Sequence, residues 1–126
     1  MLKSITLDHT GSAYFRLHDI EFDSETNDFF YLGHLYDTEE SHFISRLNYT
    51  GELVWSKNFA NYSVNNTLEY SSIHDTLYYL ANANPTILMK INSTDGVNIN
   101  SHELTDCSIE GYYGDCSLSG DESALF

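Results

Sequence analysis

The sequence predicts an all-β fold built from two four-stranded antiparallel, propeller-like blades, and three observations predict it. A strand–turn–strand stretch occurs twice. Ile44 to Trp55 reads ISRLNYTGELVW and Leu88 to Asn100 reads LMKINSTDGVNIN, with Gly51 and Gly96, 45 residues apart, at the same turn. Upstream, Ile20 to Gly33 (IEFDSETNDFFYLG) matches Leu68 to Ala81 (LEYSSIHDTLYYLA) at an offset of 48. An internal repeat of this period marks stacked or radial units. Composition agrees: ten Tyr, seven Phe and one Trp against a single Pro favour strands. No helical 3.6-residue period persists for three turns, so helix is expected to be close to absent.

The elements follow in order. Leu2 to Leu7 alternates as a strand and is ended by the turn Asp8-His9-Thr10-Gly11. Ala13 to Phe22 is extended, the polar turn Asp23 to Asp28 follows, and Phe29 to Leu35 is the most apolar run, which suits an inner strand. After the acidic loop Tyr36 to Ser41, a strand over His42 to Leu47 turns tightly at Gly51 into Glu52 to Phe59. A loop from Ala60 to Asn66 leads to the second unit. Its strands are Thr67 to Tyr70, Leu77 to Ala81, Thr86 to Ile91 and Val97 to Leu104, with Pro85 at a turn or strand start. The tail holds a short strand candidate at Ser108 to Tyr113 and is expected to fray after Leu118. The expected organisation is one domain over 1–126, with blade 1 at about 19–59 and blade 2 at about 67–104. The strand at 2–7 and a Cys-containing tail at 105–126 flank them.

Four short strands, 44 to 48 residues per unit and a Gly turn before the last strand describe a propeller blade. The motif Asn48 to Trp55, NYTGELVW, resembles the T-G-x-x-x-W turn of quinoprotein-type (PQQ-like) propeller repeats. The resemblance implies that Thr50 and Gly51 make the turn and that Trp55 wedges between neighbouring blades. The second copy keeps Gly96 but has Asp95 for the Thr and Asn100 for the Trp. Two blades bury one blade-to-blade face and leave two open. Either the chain is part of a longer one, or copies assemble, or the units pack as a sandwich. Head-to-tail joining that does not close gives a fibre.

A formal charge of −14 repels nucleic acid phosphates and anionic lipid, so neither is an expected partner. It suits cations, basic partners or simple solubility. No window approaches the apolar length of a membrane span, and the first residues show no signal-peptide run, a cytosolic start if taken literally. The sequons at Asn48, Asn61, Asn65 and Asn92 point the other way. Asn48 and Asn92 fall in the same turn of the two repeats and Asn61 and Asn65 share one loop, where glycans are tolerated. N-glycans and an extracellular or cell-surface location are therefore expected, with the chain taken as a fragment of a longer secreted one. Cys107 and Cys116, nine apart with Gly111 and Gly114 between, have a spacing that can close a hairpin. An extracellular disulfide is expected, the alternative being two unrelated buried thiols.

No catalytic motif stands out. There is no GxSxG elbow, phosphate-binding Gly loop or HExxH, and the loop Gly114 to Gly120 has no strand-to-helix setting for a nucleophile. The six His (His9, His18, His34, His42, His74, His102) are scattered singly. Only His34 lies in an apolar run and is taken as a satisfied core or interface residue; His18 with Asp19 and Glu21 is a strand-edge cluster. No metal site is expected. Asp23, Glu25 and Asp28, or Asp37, Glu39 and Glu40, lack the calcium-loop register and are expected to be solvated acidic turns. No cofactor is expected, since a quinone needs a full propeller with several charged axial residues and the chain has five basic residues. The expected function is non-enzymatic: an extracellular, glycosylated blade-repeat segment acting in self-assembly or protein or glycan binding. Its partners are then further copies of itself, in one form a fibre, or the remaining blades of a longer chain. The alternative is a fragment of a propeller enzyme, a quinoprotein-like dehydrogenase or a glycan hydrolase, with its active site elsewhere.

Overall fold

The structure, a computed structural model, describes residues 14–36, 41–60, 67–81 and 86–104. These form eight strands and, among the described residues, no helix. The strands are β1 (Tyr14–Asp23), β2 (Asp28–Tyr36), β3 (Ser41–Leu47), β4 (Leu53–Ala60), β5 (Thr67–Ser71), β6 (Thr76–Ala81), β7 (Thr86–Asn92) and β8 (Asn98–Leu104). They make two four-stranded antiparallel meanders, β1-β2-β3-β4 and β5-β6-β7-β8. This is the expected fold class. Each expected strand in the described residues lies within one residue of an observed one at either end. The expected strands at Leu2 to Leu7 and Ser108 to Tyr113, and Pro85, lie outside the described residues.

The turns repeat as the strands do. Asn27 (φ 61°) and Asp75 (φ 48°) take the left-handed conformation 48 residues apart, and Gly51 (φ 90°) and Gly96 (φ 74°) take it before the last strand of each blade. Asn, Asp and Gly are the residues that tolerate this region. The first turn is not simply a solvated acidic one. Asp23 is buried, its Oδ1 accepting the Glu25 N–H at 2.9 Å and its Oδ2 the Thr26 hydroxyl at 2.8 Å. Asp28 is buried as well, against Arg46. The expectation of solvated carboxylates fails for these two because each has a donor to satisfy indoors, while Glu25 stays exposed. Asp37, Glu39 and Glu40 lie outside the described residues.

The core sits between the blades. Phe30, Leu32, Ile44 and Phe59 from blade 1 meet Leu68, Leu77, Tyr79, Ala81, Met89 and Ile91 from blade 2. Strand alternation selects these sets: Phe30 faces Arg46 and Leu32 faces Ile44 across β2–β3, while Leu77 faces Ile91 and Tyr79 faces Met89 across β6–β7. Rings join the blades, with Phe30 to Tyr70 at 4.8 Å and Phe59 to Tyr79 at 5.0 Å between centroids.

The two blades use opposite faces. At the offset of 48, Phe30 corresponds to Tyr78, on the side of blade 2 turned away from blade 1. Conversely Leu77 and Tyr79, which receive blade 1, correspond to Phe29 and Tyr31 on the far side of blade 1. One face of each blade is therefore shaped to give and the other to receive, as in a propeller, although two blades do not close one.

Candidate functional site

At one end of the interblade face, blade 1 grips the last turn of blade 2. The Trp55 indole Nε1 donates to the Ser93 carbonyl at 2.9 Å, and Arg46 Nη1 donates to the same oxygen at 3.0 Å. Lys57 Nζ donates to the Gly96 carbonyl at 3.3 Å. Arg46 also lies 5.5 Å from the Phe30 ring centroid and donates from Nε to Asp28 Oδ2 at 2.7 Å. The Trp55 ring presses on the turn so closely that a Cβ at Gly96 would meet its Cε3 at 2.8 Å. Blade 2 carries a reduced version of this grip on its far side: Lys90 lies 5.9 Å from the Tyr78 centroid, and its cross-strand partner is Asn100 where blade 1 has Trp55.

A seam of carboxylates runs beside it. Asp19 Oδ2 accepts the Leu68 N–H at 3.0 Å and Glu21 Oε2 accepts the Tyr70 N–H at 3.4 Å, so β1 satisfies the edge of β5 with side chains. Burial pushes the Glu21 carboxyl up to about 7, Glu69 nearby adds to this, the Tyr70 N–H opposes it, and Asp19 raises it further.

The other end of the face holds three histidines. His34 and His42 are direct partners across β2–β3, buried, with stacked rings 4.3 Å apart. His18 comes from a β-bulge in β1, where the register slips between Leu17 and Asp19, and its ring lies 5.8 Å from that of His34 and 5.7 Å from that of His42. Bulges characteristically re-aim a side chain. One nitrogen of each ring lies within 4.8 Å of the others. Neither ring nitrogen of His42 makes a hydrogen bond, nor does Nε2 of His18. A buried polar atom left this way costs about 1–3 kcal/mol. Burial lowers the His42 pKa to about 4, with His34 and then His18 adding; burial lowers that of His18, followed by His34 and Arg16. Both imidazoles are neutral at physiological pH and keep a lone pair on one nitrogen.

The pH response of the fold separates these groups. Glu21 has a folded pKa near 7 against 4.5, so its contribution is full below about 4.5 and is lost as pH rises through 7. His42 acts in the opposite sense and only below its ordinary value of 6.5, where stability falls with falling pH. Between about pH 8 and about pH 6.5 the Glu21 effect dominates: the thermal midpoint rises as pH falls. Glu21→Gln keeps an acceptor for Tyr70 and flattens the profile in that window. An unchanged slope in the variant would refute the assignment.

The residues expected from sequence are placed as follows. Thr50 and Gly51 form an exposed Asx turn with Asn48, whose Oδ1 accepts from Thr50 N at 3.0 Å and Glu52 N at 2.9 Å. Asn48 Nδ2 donates to Glu52 at 2.9 Å, and this bond, followed by that from Thr50, holds the Glu52 carboxyl below its usual range. Asn92 repeats the turn, its Oδ1 accepting from Thr94 N at 2.8 Å. Trp55 and Gly96 are in contact. Asn61, Asn65, Cys107 and Cys116 lie outside the described residues. The histidine cluster goes beyond the sequence, in which the six His are scattered singly. The hairpin register that pairs Leu32 with Ile44 also pairs His34 with His42, and that much was available once the hairpin was drawn. Nothing in the sequence marks the bulge that adds His18. No helix among the described residues is long and apolar enough to cross a membrane, which says nothing of a β-barrel. Compared with known proteins, the chain matches no family model, no curated protein and no solved structure.

Proposed function

We propose that this chain is a non-enzymatic β-blade module that self-assembles head to tail, the giving face of blade 2 seating on the receiving face of blade 1 in the next copy. One observation carries this reading. Leu68 of blade 2 is 1% exposed beneath blade 1, whereas its repeat counterpart Ile20 on the far side of blade 1 is 51% exposed. Phe22, the counterpart of the half-buried Tyr70, is 48% exposed, while Tyr31, Phe43 and Ser45 on the same face are already buried, so the part of the receiving face that is open is its β1 side, Ile20 and Phe22. The occupant that fits is a second copy, because the complementary face is that of a blade from this same repeat. Tyr78, Lys90 and Asn100 would then stand to the Asn48–Gly51 turn as Phe30, Arg46 and Trp55 stand to the Ser93–Gly96 turn. With Asn100 in place of a Trp, this contact is weaker than the one inside the chain.

The setting we propose is extracellular, with N-glycans on the sequon turns. Asn48 and Asn92 support it by standing, half-buried, at matching positions where the two exposed turns begin, and the intact mass of native material would carry the added sugar.

Sedimentation velocity over a concentration series tests the assembly. The chain is expected to self-associate, Phe22→Asp to weaken this at least tenfold, and Asn100→Trp to strengthen it, since burying or exposing one large side chain is worth about 1.5–3 kcal/mol. A monomer at all concentrations in both the parent and Asn100→Trp would overturn the proposal.

A further inference from the structure

We propose that His18, His34 and His42 form a metal site for a divalent first-row ion of the zinc type, three imidazoles supplying the protein ligands and one position remaining for water or an external ligand. The placement comes from three different strands of one sheet. His34 and His42 are fixed opposite each other by the β2–β3 register, and His18 is turned onto the same face by the β1 bulge. Their ligand atoms already lie within 4.8 Å of one another. Three nitrogens bound at 2.0–2.1 Å to a tetrahedral ion are about 3.3 Å apart, so modest rotations of the rings bring them onto one ion.

The chemistry of the donors fits. Imidazole is the ligand shared by zinc, copper, nickel and iron sites, and hard cations such as calcium and magnesium prefer oxygen, which this cluster does not offer. His42 is fully buried and neither of its nitrogens makes a hydrogen bond, an arrangement that a coordinate bond would resolve. Stacking alone does not account for it, because a Phe at either position would stack as well without the desolvation. Asp19, beside the bulge, is committed elsewhere, its oxygens accepting from Ile20 N and Leu68 N, so it orients β1 against β5 instead of competing for the ion. Arg16, across from His34, adds a positive charge near the site that opposes a bound cation, a cost the three imidazole ligands have to outweigh. A bound ion would tie β1, β2 and β3 together at the end of the interblade face opposite the Trp55 grip. This site stands independently of head-to-tail assembly.

Titration of the metal-stripped full chain with Co2+, followed by visible absorption, tests the proposal. One equivalent is expected to develop the intense ligand-field bands of a four-coordinate site, and Zn2+ is expected to displace them. His18→Ala, at a half-buried position whose loss leaves the sheet intact, should weaken binding more than ~100-fold, beyond the 10–100-fold typical of losing an outer partner, and remove the four-coordinate bands. His42→Gln serves as the second variant. Its readout is loss of the Zn2+-induced rise in the unfolding midpoint that the parent shows. His74→Ala and His102→Ala, both exposed, should change neither measurement. Absence of ligand-field bands in the folded parent would overturn the site. So would bands that survive His18→Ala or disappear in His102→Ala.

Discussion

Replacing Arg46 with Ala is expected to destabilise the folded chain by about 3–5 kcal/mol, the loss that follows when a buried ion pair is broken and its partner remains. Asp28 is that partner: it is buried and takes both Nε, at 2.7 Å, and Nη2 of the guanidinium. The substitution also removes the donor to the Ser93 carbonyl and the cation above Phe30, so blade 1 and blade 2 are loosened together. A urea titration reads the effect as a lower midpoint with little change in slope. The double substitution Arg46→Met with Asp28→Asn is expected to recover much of the loss, because no charge is then stranded. A loss under about 1 kcal/mol for Arg46→Ala, the range of exposed pairs, would show that water reaches Asp28.

Gly96→Ala is the second large effect, expected at about 2–5 kcal/mol. Two costs combine. The φ of 74° is unfavourable to a side chain by about 1–2 kcal/mol. A Cβ would also lie 2.8 Å from Cε3 and 2.9 Å from Cδ2 of Trp55, and overpacking of this kind costs about 1–3 kcal/mol. The indole cannot simply slide away while Nε1 holds the Ser93 carbonyl. Trp55→Ala in the same chain should remove the steric part and keep the backbone part, so the two substitutions are expected to be non-additive by at least 1 kcal/mol in a double-mutant cycle. Additive losses would mean that the ring and the turn are not in contact in solution.

The difference between what the sequence reveals and what it conceals has a physical basis in particular residues. Strand periodicity and left-handed turn residues are local properties, so the eight strands, the Gly51 and Gly96 turns and the blade-like pairing are legible from the two repeated stretches, Ile20–Gly33 and Ile44–Trp55, and their copies. The interblade pairing is partly legible: the match of Ile20–Gly33 to Leu68–Ala81 sets bulky apolar or aromatic residues at like positions in both blades, but does not show which of them turn forward and which back. That choice depends on strand alternation about a register that only the folded sheet fixes. Asp23 and Asp28 look solvated in the sequence because their partners, the Glu25 N–H and Thr26 hydroxyl of their own turn and Arg46 eighteen residues on from Asp28, cannot be weighed by composition. The histidine cluster was hidden more deeply. His18 and His34 are brought together by a hairpin, His42 by the next, and the one-residue slip at Leu17/Asp19 that completes the set leaves no mark in the sequence.

Electron imaging of the purified chain at high concentration tests head-to-tail assembly most directly. Rings or filaments whose repeating element is the two-blade unit are expected, lost in Phe22→Asp and more abundant in Asn100→Trp. Fields without rings or filaments for the parent and for Asn100→Trp alike, at concentrations where both remain folded, would contradict it.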